Sequence, residues 1–283
     1  MPSESNITHN LSPQPRQLRF DTTTQCNAHC ASCHRFLSNR IGEMPPDMII
    51  KILKDVARWD EPLKEIIPVN YGEFFLRQDW LWILQMIERY LPRTKIVLPT
   101  NGSLLDDKKI DELCQIQTID IINFSINAYF DETYEAFMQL PASTMDKIRH
   151  TMERIRVLRA DITLWSSIVF DPSYHTDAER EFFFGYWKDI SYPQILTATS
   201  ANRGLKLLRS PLIPCRSLFS DIVIGFDGKL SSCCFDSSFS LDLGEYSGDL
   251  LKDWHNPKLE AFRQLHNEHR RGEIELCRNC SFG

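Results

Sequence analysis

Apolar and polar positions fall into regular order from residue 17 onward, and from there they alternate between two periods. Short runs rich in Val, Ile, Leu, Phe and Thr are each followed by a stretch with apolar residues at i, i+3 and i+4. This is the signature of parallel strands covered by helices. QLRFDTTTQ is the first such run, and Pro45-Pro46-Asp47 then opens a helix in which Met48, Ile49, Ile52, Leu53 and Val56 recur on one face. The unit repeats as EIIPVNYGE with DWLWILQMIERYL, whose Trp80, Ile83, Leu84, Ile87 and Leu91 form a stripe, and as KIVLPTNG with a short helix around Ile110 and Leu113. It continues as IDIINFSINA with helices between Asp131 and Ala160, as DITLWSSIVF with TDAEREFFFGYWKDI, and ends on a sixth strand, QILTATSANRG. Right-handed crossovers wind such units into a curved sheet, and six are too few to close a barrel. The expected fold is therefore α/β, a partial (β/α)6 barrel of parallel strands.

Two regions stand outside the alternation. Residues 1–16 are polar and proline-bearing without a period, and read as a flexible N-terminal arm. After Gly204 the alternation stops. IVIGFDGKLSSCC predicts a hairpin turning at Asp227-Gly228, and a helical segment, DLLKDWHNPKLEAFRQLHNEHRRG, leads into CRNC. The expected division is a core at 17–204 and a small C-terminal α+β domain at 205–283.

Composition narrows the class without changing this picture. The hydrophobic and charged fractions, 42% and 25%, are those of a globular protein. No run approaches the ~18 apolar residues of a membrane span, and the N-terminus has no apolar signal core, so a cytoplasmic protein is expected. The net charge of -6 argues against nucleic acid as the main partner. Nine cysteines in a chain without an export signal point to metal or redox use rather than a disulfide frame, and the glycosylation-type triplets at Asn6, Asn10 and Asn101 are then chance matches.

The cysteines fall into two groups. Cys26, Cys30 and Cys33 stand at C-x3-C-x2-C after the first strand. Three such thiolates can hold three corners of an iron-sulfur cube and leave one iron open. The same cysteines also suit a buried apolar role, or Zn²⁺ with His29 or His34 as fourth ligand. Parallel α/β sheets build sites at the C-terminal strand ends. That rim presents Tyr71-Gly72-Glu73, Thr100-Asn101-Gly102, Ser125 with Asn127, Ser166 with Ser167, and Asn202-Arg203-Gly204. Any one of these reads equally well as a turn, but six strand ends in succession, beginning with the cysteine loop, read as a site. The second group is Cys215, Cys233, Cys234, Cys277 and Cys280. Four of its thiolates suit either Zn²⁺ or an iron-sulfur cube. Adjacent strand residues face opposite ways, so Cys233 and Cys234 are not expected to reach one metal together. Cys114, beside Ile110 and Leu113, reads as a core thiol.

These motifs resemble the radical S-adenosylmethionine (radical SAM) superfamily over residues 17–204. The resemblance implies a 4Fe-4S cluster on Cys26, Cys30 and Cys33 whose free iron chelates S-adenosylmethionine, and reductive cleavage to a 5'-deoxyadenosyl radical. YGEFFLRQDW is similar to the family's Gly-Gly-Glu segment, which implies that Tyr71, Gly72 and Glu73 hold the methionine amino group, with Tyr71 replacing a glycine. FSINAYFDETY resembles the segment near the ribose, with Asn127 where aspartate is usual. Asn101 and Ser167 complete the implied cofactor site, Ser32 replaces an apolar neighbour of the adenine, and Arg203 is implied to pair with a carboxylate. Cys215, Gly228, Cys233 and CRNC resemble the twitch form of the SPASM extension. This implies an auxiliary 4Fe-4S cluster on Cys215, Cys233, Cys277 and Cys280, with Cys234 the competing ligand. No catalytic residue is assigned; Cys234 and Arg203 are the candidates. Relatives with this layout oxidise a hydroxyl or modify a peptide. The expected activity is two-electron oxidation of a small metabolite of sugar or aminocyclitol type, with the auxiliary cluster as electron acceptor and a flavodoxin or ferredoxin as external donor. Cross-linking or epimerisation of a ribosomal peptide is the alternative enzyme reading, and a zinc-clamped, non-redox binding protein the alternative of another class.

Overall fold

The computed structural model describes residues 11–197, 214–278 and 280. Its first strand, β1 (Gln17–Phe20), is followed by α1 (Pro46–Val56), β2 (Glu65–Ile67), α2 (Trp80–Tyr90), β3 (Lys95–Thr100), α3 (Asp107–Leu113) and β4 (Ile119–Ser125). Two helices, α4 (Asp131–Met138) and α5 (Ser143–Leu158), then precede β5 (Thr163–Phe170), α6 (Asp177–Trp187) and β6 (Tyr192–Thr197). The strands pair in parallel, each beside its predecessor, as a right-handed series of strand-helix units requires. Ile49, Ile52, Leu53 and Val56 of α1 and Trp80, Ile83, Leu84 and Ile87 of α2 bury the stripes that the periodicity predicts.

The chain continues with α7 (Ser217–Ser220), β7 (Asp221–Ile224), β8 (Leu230–Ser231), α8 (Leu250–Trp254), α9 (Pro257–Asn267) and α10 (Glu275–Arg278). Here the structure adds something that the sequence reading lacks. The hairpin expected within a separate small domain pairs in parallel with β1 through β7, giving one open eight-stranded sheet in the order β6-β5-β4-β3-β2-β1-β7-β8. A partial barrel leaves the far side of β1 with unpaired backbone groups, and β7 covers them. Gly228, at φ 86°, makes the predicted hairpin turn. Asp55 on α1 adds a second clamp, accepting from the Tyr246 hydroxyl (2.8 Å), the Leu250 N–H (2.7 Å) and Arg58 (3.0 Å).

Strand lengths also depart from the apolar runs. β2 ends at Ile67 because Pro68 has no N–H for the ladder. β5, by contrast, ends at Phe170, where its run DITLWSSIVF ends, so Ser166 and Ser167 lie inside the strand and not at the expected rim. β8 stops at Ser231, short of Cys233 and Cys234. Among the described residues no helix is long and apolar enough to cross a membrane.

Candidate active site

The loop after β1 carries the first cysteines into a cleft at the C-terminal strand ends. This cleft is lined by Cys26, Cys30 and Cys33 and by Tyr71, Gly72, Glu73, Asn101, Ser125 and Asn127 from the following strands. The last turn of α4 props the loop: His29 and Ala31 donate backbone N–H groups to the Met138 and Phe137 carbonyls (3.2 and 2.8 Å). Cys30 Sγ lies 3.4 Å from Met138 Sδ. Cys26 Sγ accepts from the Ala28 N–H (3.4 Å) and more distantly from Asn101 Nδ2 (3.9 Å). Burial pushes the Cys26 and Cys30 thiols up to about 11 and about 12. They keep their protons until a metal takes the proton's place, since the metal-binding form is the thiolate.

Glu73 is the buried acid of the cleft, 2% exposed. Oε1 accepts from the Thr100 hydroxyl (2.8 Å) and the Phe75 N–H (3.3 Å), and Oε2 from the Asn101 N–H (2.7 Å). Every one of these donors is neutral, and burial raises the carboxyl above the ordinary glutamate range. A buried carboxylate without a cation beside it suits an ammonium ligand, which would return the ionised form. Gly72 is dictated by close approach: a Cβ there would lie 2.2 Å from the Thr23 carbonyl oxygen.

Other predicted residues are employed differently. The Tyr71 phenol donates to the Cys234 carbonyl, which Asn70 Nδ2 also reaches (3.2 Å), while the Tyr71 N–H donates to Asp21 Oδ1 (3.2 Å). Tyr71 thus ties the second strand end to the C-terminal region, a task no glycine performs. Asn127 lines the cleft at φ 61°, a backbone region that Asn tolerates. Its amide, however, is turned to its own fold, with Oδ1 accepting from the Val169 N–H (2.8 Å) and Nδ2 3.1 Å from Met138 Sδ. Its oxygen keeps one lone pair for a ligand while the other is spent on the strand. The imidazole of His175 donates from Nε2 to the Asn127 carbonyl (2.6 Å) and holds this strained turn. Ser167 needs correction. It lies inside β5 with its hydroxyl 2.8 Å from Asn123 Oδ1, and Val169 takes its place at the cleft. Asn202, Arg203 and Gly204 lie outside the described residues.

Behind the cleft is a second, thiol-lined cavity. Cys215, Cys233, Cys234, Cys277 and Cys280 border it together with Arg271. The CRNC turn is tight, with the Cys280 N–H donating to the Cys277 carbonyl (3.2 Å). Cys215 is set by its N–H bond to His266 Nδ1 (3.0 Å); burial lowers that imidazole to about 3, so it stays neutral. Burial raises the thiols of Cys215, Cys233 and Cys234, and that of Cys277 to about 12. The strand-alternation argument against Cys233 and Cys234 sharing a site fails, because both lie past β8 in irregular chain and both reach this cavity. Cys234 also lines the cleft, so the two thiol sites meet at this residue. Among the described residues no three ligand-type side chains converge on a single-ion point; the thiols frame cavities instead. Cys114 is buried away from both, as expected.

Sequence reasoning missed the residues that hold the cleft in shape. Buried Arg77 donates to the Thr22 and Met44 carbonyls (2.7 and 3.0 Å) and to Asp79 (2.7 Å), fixing the approach to the cysteine loop. Asp21 gathers the Asn70 and Tyr71 N–H groups. The only signals available were charges set among apolar neighbours in QLRFD and EFFLRQD.

The chain matches the radical SAM superfamily over residues 20–181 and the SPASM iron-sulfur cluster-binding domain over residues 215–281. It is 23% identical over 272 residues to the S-adenosyl-L-methionine-dependent 2-deoxy-scyllo-inosamine dehydrogenase of Niallia circulans, covering 93% of this chain and 92% of that one. Among solved structures, BtrN in complex with AdoMet and 2-DOIA superposes with a TM-score of 0.69 at 20% identity, covering 97% of this chain and 94% of that one. anSMEcpe with bound AdoMet and the Cp18Cys peptide superposes at 0.68 and 15%, covering 93% and 88%. The cofactors of the matched families are a 4Fe-4S cluster with S-adenosylmethionine in the core and an auxiliary cluster in the C-terminal region, and both thiol-lined cavities suit them. The chain belongs to the radical SAM superfamily and carries a SPASM/twitch cluster-binding domain at its C-terminal end.

Proposed function

We propose that this enzyme oxidises a hydroxyl-bearing small metabolite of sugar or aminocyclitol type by two electrons, with the substrate seated between its two thiol sites. The carrying observation is that Cys234 lines both the cleft of Cys26, Cys30 and Cys33 and the cavity of Cys215, Cys233, Cys277 and Cys280. In this reading the first three cysteines hold the open cluster and the other four hold the auxiliary one. Glu73 takes the ammonium of S-adenosylmethionine. Gly72 lets its strand end close on the cysteine loop, and Asn101 tunes the cluster through Cys26. When bound, the cofactors supply one-electron cleavage of the sulfonium to a 5'-deoxyadenosyl radical, hydrogen abstraction from substrate, and an acceptor for the second electron. Tyr71 and Asn70 hold the Cys234 carbonyl and so set the wall between the two sites.

The dehydrogenase of Niallia circulans, matched along almost its whole length, supports the small-molecule reading over the peptide one. Reduction is assigned to an external donor of flavodoxin or ferredoxin type. The test is anaerobic reconstitution followed by turnover with a panel of sugars and cyclitols that includes neutral, amine-bearing and oxyanion-bearing members. Brown protein with about eight iron and eight sulfide per chain, forming one 5'-deoxyadenosine per oxidised product, is the expected result. Colourless protein holding zinc would end the enzyme reading, and turnover confined to peptides would end the small-molecule one.

A further inference from the structure

β1 buries Leu18 and Phe20 completely, and its opposite face carries Gln17 and Arg19 into the interior of the curved sheet. Gln17 is partnered, giving its amide to Glu65 (2.7 Å). Arg19 is not. Its Nε is buried without a hydrogen-bond partner, and no carboxylate among the described residues pairs with its guanidinium. Buried Arg77 and Arg263 each pair with a carboxylate and backbone carbonyls, although one Arg263 nitrogen and the Nε of Arg271 also make no hydrogen bond among the described residues.

Arg19 borders the cleft, where it is the one lysine or arginine among the described lining residues. Its positive charge is felt at the Cys234 thiol. The acids within reach are already engaged. Glu73 is filled by Thr100, Asn101 and Phe75 and faces the cysteine loop. Arg19 also borders a second pocket, where Glu65 holds Gln17, Asp221 accepts from Ser220, and Arg16, Lys64 and Arg216 add three more cations. Arg19 is half-buried with its Nε shut away from a partner, so its fork has donors to spare for a ligand oxyanion that enters the cleft.

Building on the proposed function, we infer that Arg19 is a specificity residue and that the substrate presents a carboxylate or phosphate oxyanion to it, on the side of the cleft nearest Cys234. An amine-bearing ring would meet a cation there. The relative from Niallia circulans is named for an inosamine, so on this assignment the two enzymes differ in the charge of the group they select.

The test uses reconstituted holoenzyme with S-adenosylmethionine and four pyranose probes of one skeleton: glucose, glucosamine, glucuronate and glucose 6-phosphate. Equilibrium binding should favour an oxyanion probe over glucose by at least about tenfold, with glucosamine weakest. The winning arm tells carboxylate from phosphate. Arg19→Met should erase the preference with iron content and the dissociation constant of S-adenosylmethionine unchanged, Arg19→Lys should keep part of it, and Arg19→Glu should turn it toward glucosamine. A purely structural arginine would not invert selectivity. Equal binding of all four probes by the wild type overturns the inference, as does an Arg19→Met variant that loses affinity for S-adenosylmethionine while keeping the oxyanion preference. If the wild type does not cleave S-adenosylmethionine on reduction, the radical enzyme reading has failed; cleavage without oxyanion preference removes this inference alone.

Discussion

The two thiol sites differ in what surrounds the sulfurs. Cys26, Cys30 and Cys33 open onto a cleft built from many strand ends, where Glu73, Asn101, Ser125 and Asn127 offer polar atoms. Cys215, Cys233, Cys277 and Cys280 face a cavity whose other walls include Leu218, Leu241 and Leu276. On the proposed assignment, three ligands beside polar groups leave a corner open for a cofactor, whereas four ligands in a largely apolar enclosure close the cluster and suit it to electron transfer. The contrast comes from topology: the first loop sits on the rim where ligands of parallel sheets gather, while the second group comes from the chain before α7, the end of the β7-β8 hairpin and α10 with the residues after it.

The largest effect should come from removing the open site. Replacing Cys26, Cys30 and Cys33 together by Ala should abolish S-adenosylmethionine cleavage and leave about half of the roughly eight iron atoms per chain, measured by iron analysis and EPR of anaerobic protein. Loss of all iron from folded protein would mean that the sites are not independent. Next in size is the choice of auxiliary ligand. Cys233→Ala should lose the auxiliary cluster and substrate oxidation but keep cofactor cleavage, whereas Cys234→Ala should keep the iron. Because both thiols border the cavity, equal retention by the two single variants would reveal exchangeable ligation.

A smaller effect is expected at Glu73. Glu73→Gln retains an acceptor and removes the charge, so S-adenosylmethionine binding should weaken by roughly 1.5–3 kcal/mol, about ten- to a hundredfold, at constant iron content. An unaltered dissociation constant would detach Glu73 from the ammonium. The smallest concerns pH. Burial lifts the Asp21 carboxyl from 3.8 to about 6, so between those values the folded chain holds a proton that the unfolded chain has released. Stability from this group therefore falls as pH rises through about 4 to 6 and stays reduced above it. Asp21→Asn keeps the oxygen for the Asn70 and Tyr71 N–H groups, and its unfolding midpoint should gain on the wild type between pH 4 and pH 7. Parallel midpoint curves for the two proteins would rule that out.

Much of this comparison was legible beforehand because periodicity and cysteine spacing are local signals. The stripe of Ile49, Ile52, Leu53 and Val56 forecast α1, and Gly72-Glu73 marked a strand end whose acid is indeed buried in the cleft. The failures arose where the outcome depended on distant chain. Ser167 looked like a rim residue although its run DITLWSSIVF reaches Phe170, and pairing with β6 along that length keeps it inside the strand. Asn127 looked wholly free until Val169 and His175 were brought beside it across the sheet. Cys233 and Cys234 were judged by strand alternation, yet the hairpin partner is short and the strand gives out at Ser231. Arg19 escaped notice because one cation in a half-buried strand is locally unremarked; what sets it apart is the lack of an ion-pair partner among the described residues.

The pairing of β7 with β1 puts the chain that carries both thiol groups on one sheet. A cluster region docked by side chains alone could swing aside to admit bulky substrates, at the cost of a variable electron-transfer gap. Here the loop of Cys26 to Cys33 follows one strand of a hydrogen-bonded ladder and Cys215 and Cys233 flank its partner, Gln17 through Phe20 against Asp221 through Ile224, so on the proposed function the backbone limits how far the two sites can part. Electron tunnelling falls steeply with distance, so a frame of this kind makes transfer uniform from one turnover to the next. It also means that new substrates have to be accommodated by exchanging the side chains around Arg19 and Cys234 rather than by moving the frame.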